Sequence, residues 1–338
     1  MTEDQQLQVN RFCHQYLQLE PNLAFPEPSS LRETDVQEAI FNRLFSDGSL
    51  SHGAPARYQA KVLKELVLKV EASIDDWDQH EVVGSLMNAL STTLATPLPS
   101  QAETAQQKCY VTYHLSALST QPKAPYLTLL ENRSLISAGG TTGLRTWEAA
   151  LHLGDYLCRH PSLIQGKNVL ELGAGTGYLS ILCARHLGAT HVIASDGSDE
   201  VINNLPENFF LNSLQGSSAI TPMDVKWGHA LVGTEEQLWN GGKPVDIVLG
   251  ADVTYDDSVT PALIGTLVDI FGLYSAVQVI IAATQRNEAT FKVFMDICAQ
   301  RGLRVEDLEA EVPPRGVQEG PFYNDQVPIR LCLVSKES

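Results

Sequence analysis

Residues Val169 to Tyr178 read Val-Leu-Glu-Leu-Gly-Ala-Gly-Thr-Gly-Tyr, an apolar run broken by one acid and closed by three glycines spaced two apart. A short apolar run entering a glycine-rich turn is how a strand of a parallel sheet hands over to a helix and leaves room for a ligand. Dinucleotide-binding turns require Gly-x-Gly-x-x-Gly. Here Gly173, Gly175 and Gly177 give Gly-x-Gly-x-Gly, and the longer spacing would need a glycine where Tyr178 stands. Glu171 points the same way, because an acid there repels a diphosphate and suits a cationic ligand. A nicotinamide site and a purely structural glycine bend are the competing readings of this run.

Outward from that stretch, apolar runs alternate with helical ones. Strands are expected at Asn168 to Leu172, His191 to Ser195, Ile220 to Val225, Asp246 to Leu249, Val277 to Ala283, Arg304 to Leu308 and Ile329 to Val334, with helices between most of them. That alternation predicts an α/β fold with a mostly parallel sheet covered on both faces. Upstream, Thr146 to Arg159 predicts a helix with Trp147, Leu151, Gly154 and Leu157 on one side, stopped by Pro161. Cys109, Val111, Tyr113 and Leu115 alternate, and Tyr126 to Ile136 is strand-like, so a hairpin over 109–137 is expected.

The first part of the chain is organised differently. Val36, Ile40, Phe41, Leu44 and Phe45 form one helical stripe, and Tyr58, Val62, Leu63, Leu66, Val67 and Val70 another. Thr34 with Gln37 reads as a capping box. These stripes are packing faces, and they show no chemistry. The small, polar, proline-containing stretch from Ala95 to Gln107 is the linker candidate. The expected division is therefore a helical N-terminal domain (1–95), a linker (96–108) and a ligand-binding domain (109–338) whose open-sheet core spans 144–338.

At 338 residues the chain is long enough for two domains. Lys and Arg total 23 against 40 Asp and Glu, a net charge of -17. Such a surface repels nucleic acid and anionic membrane and suits a cationic protein partner. Six scattered cysteines without a Cys-x-x-Cys pair suggest neither a metal site nor a disulfide framework. No signal peptide and no membrane-length apolar run is read, so a cytoplasmic protein is expected.

In open parallel sheets the ligand lies beyond the carboxyl ends of the strands, and those positions hold a consistent set. Asp196 follows Glu171 by 25 residues, near the ~20 expected of an acid that binds a ribose diol. Trp227 follows the third strand, either as a core residue or as a platform for a flat ring. Asp252 follows the fourth, with Tyr255 three residues on, either as a helix cap or as a carboxylate facing a reacting group. Asp256 and Asp257 read as helix-dipole residues.

The Glu171 to Gly177 run resembles the first motif of seven-strand methyltransferases, whose ligand, S-adenosylmethionine, carries an ammonium group and a sulfonium. Together with Trp147 in Gly143-Leu-Arg-Thr-Trp-Glu-Ala-Ala, Asp196, Trp227 and Asp252-Val-Thr-Tyr255, the chain resembles the protein-lysine methyltransferases with an Asp-x-x-Tyr motif. Within that group, Gly139-Gly-Thr-Thr-Gly143, the helical N-terminal extension and Thr284-Gln-Arg-Asn287 are similar to the elongation factor 2 lysine methyltransferase family. The resemblance implies a seven-strand Rossmann-like methyltransferase sheet, a cytosolic monomer, and trimethylation of one lysine of elongation factor 2. It assigns Trp147, Asp196, Trp227 and the Glu171 to Gly177 run, including Gly173, Ala174, Gly175 and Gly177, to the cofactor, with Ala251 offering backbone. Asp252 and Tyr255 would face the lysine. Lys226 departs from the group, which commonly has Asp before the second tryptophan; the adenine-side hydrogen bond is then either missing or made by Asp224. A non-catalytic binding module on the same scaffold, and a lysine methyltransferase with another cytosolic substrate, remain the alternatives.

Overall fold

A computed structural model describes residues 1–100, 103, 107–118, 125–133, 142–229, 231, 239–240 and 242–337. The chain groups into two compact units. The first joins Met1–His114 with Asn132–Leu135 and Glu319–Phe322; the second holds Leu115–Glu131, Ile136–Gln318 and Tyr323–Ser338. The break thus falls after Cys109–His114 instead of within 96–108, and a distant segment, 319–322, joins the helical part.

In the first unit, helices α1 (Glu3–Leu17), α2 (Pro28–Leu31), α3 (Thr34–Leu44), α4 (Ala56–Ser73) and α5 (Gly84–Ala95) surround one apolar core, followed by strand β1 (Cys109–His114). Val36, Ile40 and Leu44 of α3 and Val62, Leu63, Leu66, Val67 and Val70 of α4 are buried there, with Phe41, Phe45 and Tyr58 packed at its edge. Thr34 is not a cap: Glu33 occupies that position without a side-chain bond. Gln37 is instead fully buried and ties α3 to the chain ahead of α5, donating to Glu81 O at 3.0 Å and accepting from Val83 N at 2.9 Å. A long-range use of the glutamine outcompeted the local one. Gln18 does the same for the distant segment, accepting from Phe322 N at 2.8 Å and donating to Phe322 O.

The second unit holds β2 (Tyr126–Glu131), α6 (Glu148–Arg159), β3 (Asn168–Leu172), α7 (Tyr178–Arg185), β4 (His191–Asp196), α8 (Asp199–Leu211), β5 (Ile220–Asp224), β6 (Ile247–Ala251), α9 (Thr260–Leu273), β7 (Gln278–Thr284), α10 (Glu288–Gln300), β8 (Leu303–Asp307) and β9 (Ile329–Lys336). The expected stretch beyond Arg133, and Gly139 to Thr141 of the glycine-rich turn, lie outside the described residues. Seven strands form one sheet in the order β5-β4-β3-β6-β7-β9-β8. The first five run parallel and β9 is antiparallel between β7 and β8.

Central strands β3, β4 and β6 are buried on both faces, which is why they read as continuous apolar runs with no alternation. On one face Leu170, Leu172, Val248, Val279 and Ile281 pack against Leu263, Leu267 and Ile270 of α9 and Phe294 of α10. Each fully buried side chain of this kind stabilises the sheet by roughly 1.5–3 kcal/mol. Successive residues of β3 alternate faces, so Glu171 points to the opposite layer, where α7 lies. The chain winds from β3 to one side and returns on its other side at β6, placing the reversal, and the crevice it opens, beside β3.

Candidate functional site

The carboxyl ends of β3, β4, β5 and β6 end level with one another, since Leu172 pairs with Ser195 and Gly250, and Asp196 with Asp224. A cavity of about 750 Å³ opens there. Ten of the eleven residues singled out in the sequence line it: Trp147, Glu171, Gly173, Ala174, Gly175, Asp196, Trp227, Ala251, Asp252 and Tyr255.

The glycine turn needs its glycines for different reasons. Gly173 has a φ of 69°, and a Cβ there would stand 2.8 Å from Val253 Cγ1 and 3.4 Å from the Trp227 ring. Gly175, at φ 52°, passes under the Gly143 backbone, and its N–H donates to Asp196 Oδ2 at 3.1 Å. Gly177 does not line the cavity. Its φ is 82° and a Cβ would meet Leu205 of α8 at 2.8 Å, so it serves packing and the left-handed start of α7.

The acids are held differently from one another. Glu171 Oε2 accepts from Ser180 N at 2.9 Å and from Ser180 Oγ, so the carboxyl anchors the first turn of α7. Burial pushes its pKa up to about 8, against those hydrogen bonds, which pull it down. Asp196 Oδ1 accepts from Ser198 N at 3.0 Å. Burial raises the Asp196 carboxyl too, opposed by backbone N–H groups of Gly175, Ser198 and Gly197. Lys226, at the position usually acidic in the resembling group, is 3.4 Å from Asp224 and 3.9 Å from Asp199, so the Asp224 carboxylate is engaged by a cation.

Asp252 follows β6 in a left-handed conformation, φ 51°, with its N–H bonded to Ala282 O at 2.8 Å. Its carboxylate accepts from Thr284 N at 2.9 Å, Thr284 Oγ1 at 3.0 Å and, more weakly, Ala149 N at 3.4 Å. Burial raises this carboxyl, while the Thr284 backbone N–H and the Arg286 guanidinium lower it. Tyr255 beside it is 56% exposed, free to meet a partner from solvent. Trp147 precedes α6, and its Nε1 donates to Thr142 O at 2.9 Å. Thr146 links this loop to the glycine turn, bonding Glu131 Oε1 at 2.6 Å and Thr176 Oγ1 at 2.7 Å.

Sequence reasoning did not single out Thr146, Thr176 or Val253 as site residues, though all three line the cavity, nor Ser180, which acts on it through Glu171. The position just past a strand end was the available signal for Val253.

The chain's residues fit the expected methyl donor. Among the described residues Trp227 Nε1 is buried without a hydrogen-bond partner, the Gly173 cradle would be filled by any Cβ, and the volume lies in the range of small-molecule sites. Among the described residues no three His, Cys, Asp or Glu side chains gather as a metal site, and no helix is long and apolar enough to cross a membrane.

A family model described as lysine methyltransferase matches residues 130–300. The chain is 54% identical to the Protein-lysine N-methyltransferase EFM3 of Chaetomium thermophilum, over 97% of this chain and 98% of that protein. It is 28% identical to the Protein-lysine N-methyltransferase EEF2KMT of Mus musculus, over 94% of this chain and 88% of that one. The Homo sapiens protein of the same name is 30% identical over 83% and 80%.

Proposed function

The chain belongs to the lysine methyltransferase family, and from that premise we propose that its substrate is elongation factor 2, methylated on one lysine up to the trimethyl state. It is a protein-lysine N-methyltransferase that uses S-adenosylmethionine. The observation that carries the site assignment is a single cavity holding both the glycine cradle at the end of β3 and the Asp252/Tyr255 pair at the end of β6. Likeness to the relatives named EEF2KMT, over most of both chains, supports the substrate.

In this reading the turn Gly173 to Gly175 and Ala251 offer backbone to the methionine part of the donor, Asp196 holds the ribose, and Trp227 and Trp147 contact its rings and edges. When bound, the donor supplies a methyl group activated on a sulfonium. The protein's part is positioning. Lysine, with a reference pKa of about 10.4, arrives as an ammonium ion and must become neutral before its nitrogen can attack. Asp252 can dock that ammonium: of about four lone-pair directions on its two oxygens, Thr284 and Ala149 take three, leaving a narrow angular choice for the fourth. Tyr255 lines the same end and closes on the aliphatic stem. Fixing nitrogen and methyl carbon in line supplies much of the rate enhancement of such a step. Proton release goes to solvent at the exposed Tyr255 side.

The helical first unit carries none of these groups, and we assign it to partner binding or to stability. A cytoplasmic monomer follows from the same resemblance. The test is incubation of the purified chain with labelled donor and purified elongation factor 2, followed by the same reaction after the labelled lysine is changed to arginine. Label on the native factor and none on the arginine form is expected. An unlabelled native factor would overturn the substrate assignment.

A further inference from the structure

Arg286 lies just past β7, beside Asp252 and Trp147, which line the acceptor end of the cavity, and beside Glu148, which follows Trp147 in the chain. Its Nη2 donates to Glu148 Oε2 at 2.5 Å, and its Nη1 stands 3.9 Å from Asp252 Oδ1. Its guanidinium lies 5.1 Å from the centre of the Trp147 ring, which Arg145 also approaches at 4.6 Å. A half-exposed arginine spends side-chain entropy to be held this way, and exposed ion pairs alone repay little of it. Fixed contacts to two acids and an aromatic ring give it a defined position.

The charges around the acceptor explain what that position does. Two carboxyl groups, Asp252 from the end of β6 and Glu148 from the first turn of α6, lie beside the Arg286 guanidinium, and Arg145 shares the Trp147 ring with it. Asp256, next in the loop, accepts from Ser258 N at 2.8 Å and so has its own partner, and Asp257 is exposed. With Arg286 in place the acids and bases balance. Without it, the carboxyl groups of Asp252 and Glu148 would lose the guanidinium that stands against both of them. Negative neighbours favour the ammonium form and a neighbouring cation favours the neutral amine, which is the form that attacks.

Resting on the reading of Asp252 and Tyr255 as the acceptor end, we propose that Arg286 is a positioning residue for methyl transfer: shared between Glu148 and Asp252 and stacked on Trp147, it balances the two carboxylates so that the lysine docks without being trapped as an ammonium ion. It acts through Asp252 and Glu148 and need not touch substrate. The consequence is a division of labour in which Asp252 attracts the side chain and Arg286 keeps that attraction from becoming a resting place.

The experiment is steady-state methylation of the protein substrate by the full chain across neutral and alkaline pH, for wild type, Arg286→Gln and Arg286→Lys. Donor binding by each is measured separately by calorimetry. For Arg286→Gln the acid limb of the kcat profile is expected to move up by about one pH unit, so that turnover at neutral pH falls about tenfold, with KM unchanged or lower. Arg286→Lys, which keeps the charge, is expected to restore most of the wild-type limb. Donor affinity within about twofold of wild type shows that the cavity is intact. A limb that superimposes on wild type in Arg286→Gln, a loss equal at every pH, or a lysine variant no better than the glutamine one would overturn the role of Arg286. A wild-type chain that transfers no methyl group would overturn the proposed function instead, so the two failures are told apart.

Discussion

Asp252 pays for its place with backbone strain: a residue other than glycine at φ 51° costs on the order of 1–2 kcal/mol, and such strain concentrates at functional positions. Asp252→Ala is expected to lower turnover about a hundredfold or more while leaving donor affinity nearly unchanged, and Tyr255→Phe to lower it less. Unchanged rates would remove both residues from the acceptor end. Gly173→Ala acts on the other partner. With φ at 69° and Val253 Cγ1 2.8 Å from the new methyl, it is expected to weaken donor binding at least about tenfold in calorimetry and to lower stability by about 1–2 kcal/mol. Glu171 gives a dependence on pH. Its folded pKa, raised to about 8, lies above that of the unfolded chain, so the native state keeps a proton the unfolded state has lost. That contribution is complete below about pH 4.3 and fades as pH rises through about 8. Glu171→Gln, neutral and still able to accept from Ser180, is therefore expected to gain on wild type by on the order of a few kcal/mol between about pH 5 and 8. Urea midpoints at both ends of that window measure it, and a difference independent of pH would contradict it. Asp252, Tyr255, Asp196 and the glycines were legible because each follows an apolar run. Ser180 and Thr146 were not, since a serine or threonine in a helix or loop carries no sign of the carboxylate it will meet.

Strands were the most legible elements. Asn168–Leu172 lies where the apolar run places it, and the other six strands of the sheet fall within a residue or two of their expected bounds at most ends. Continuous apolar runs give strand positions but not neighbours, so the antiparallel insertion of β9 between β7 and β8 was not readable. Side-chain amides that replace secondary structure were equally hidden. Asn212, which caps the end of α8, accepts from Thr128 N at 3.1 Å and donates to Thr128 O at 2.7 Å, while Asn208 accepts from Leu130 N at 2.8 Å and donates to Thr176 O at 2.8 Å. These two asparagines act as a strand edge for β2 and tie it to the glycine turn. Asn212→Ala would remove the side-chain amide that pairs with the backbone N–H and C=O of buried Thr128, and a loss of about 2–4 kcal/mol is expected in denaturant unfolding. A loss under about 0.5 kcal/mol would show that water replaces the amide without penalty.

At the scale of the molecule, a net charge of -17 suits a protein partner with a cationic face and leaves the basis of selection to the first unit or to the cavity mouth. The change from helical to strand–helix alternation was readable along the chain; the return of 319–322 to the helical unit, through Gln18 and Phe322, was not, because a pairing across some three hundred residues has no local pattern. Every residue given a part in donor binding or lysine docking lies in the second unit. The most direct measurement is peptide mass spectrometry of elongation factor 2 from cells with this gene intact, with the gene deleted, and with Asp252→Ala in its place. One lysine methylated only in the first is the expected result; the same methylation in all three, or in none, would contradict the account.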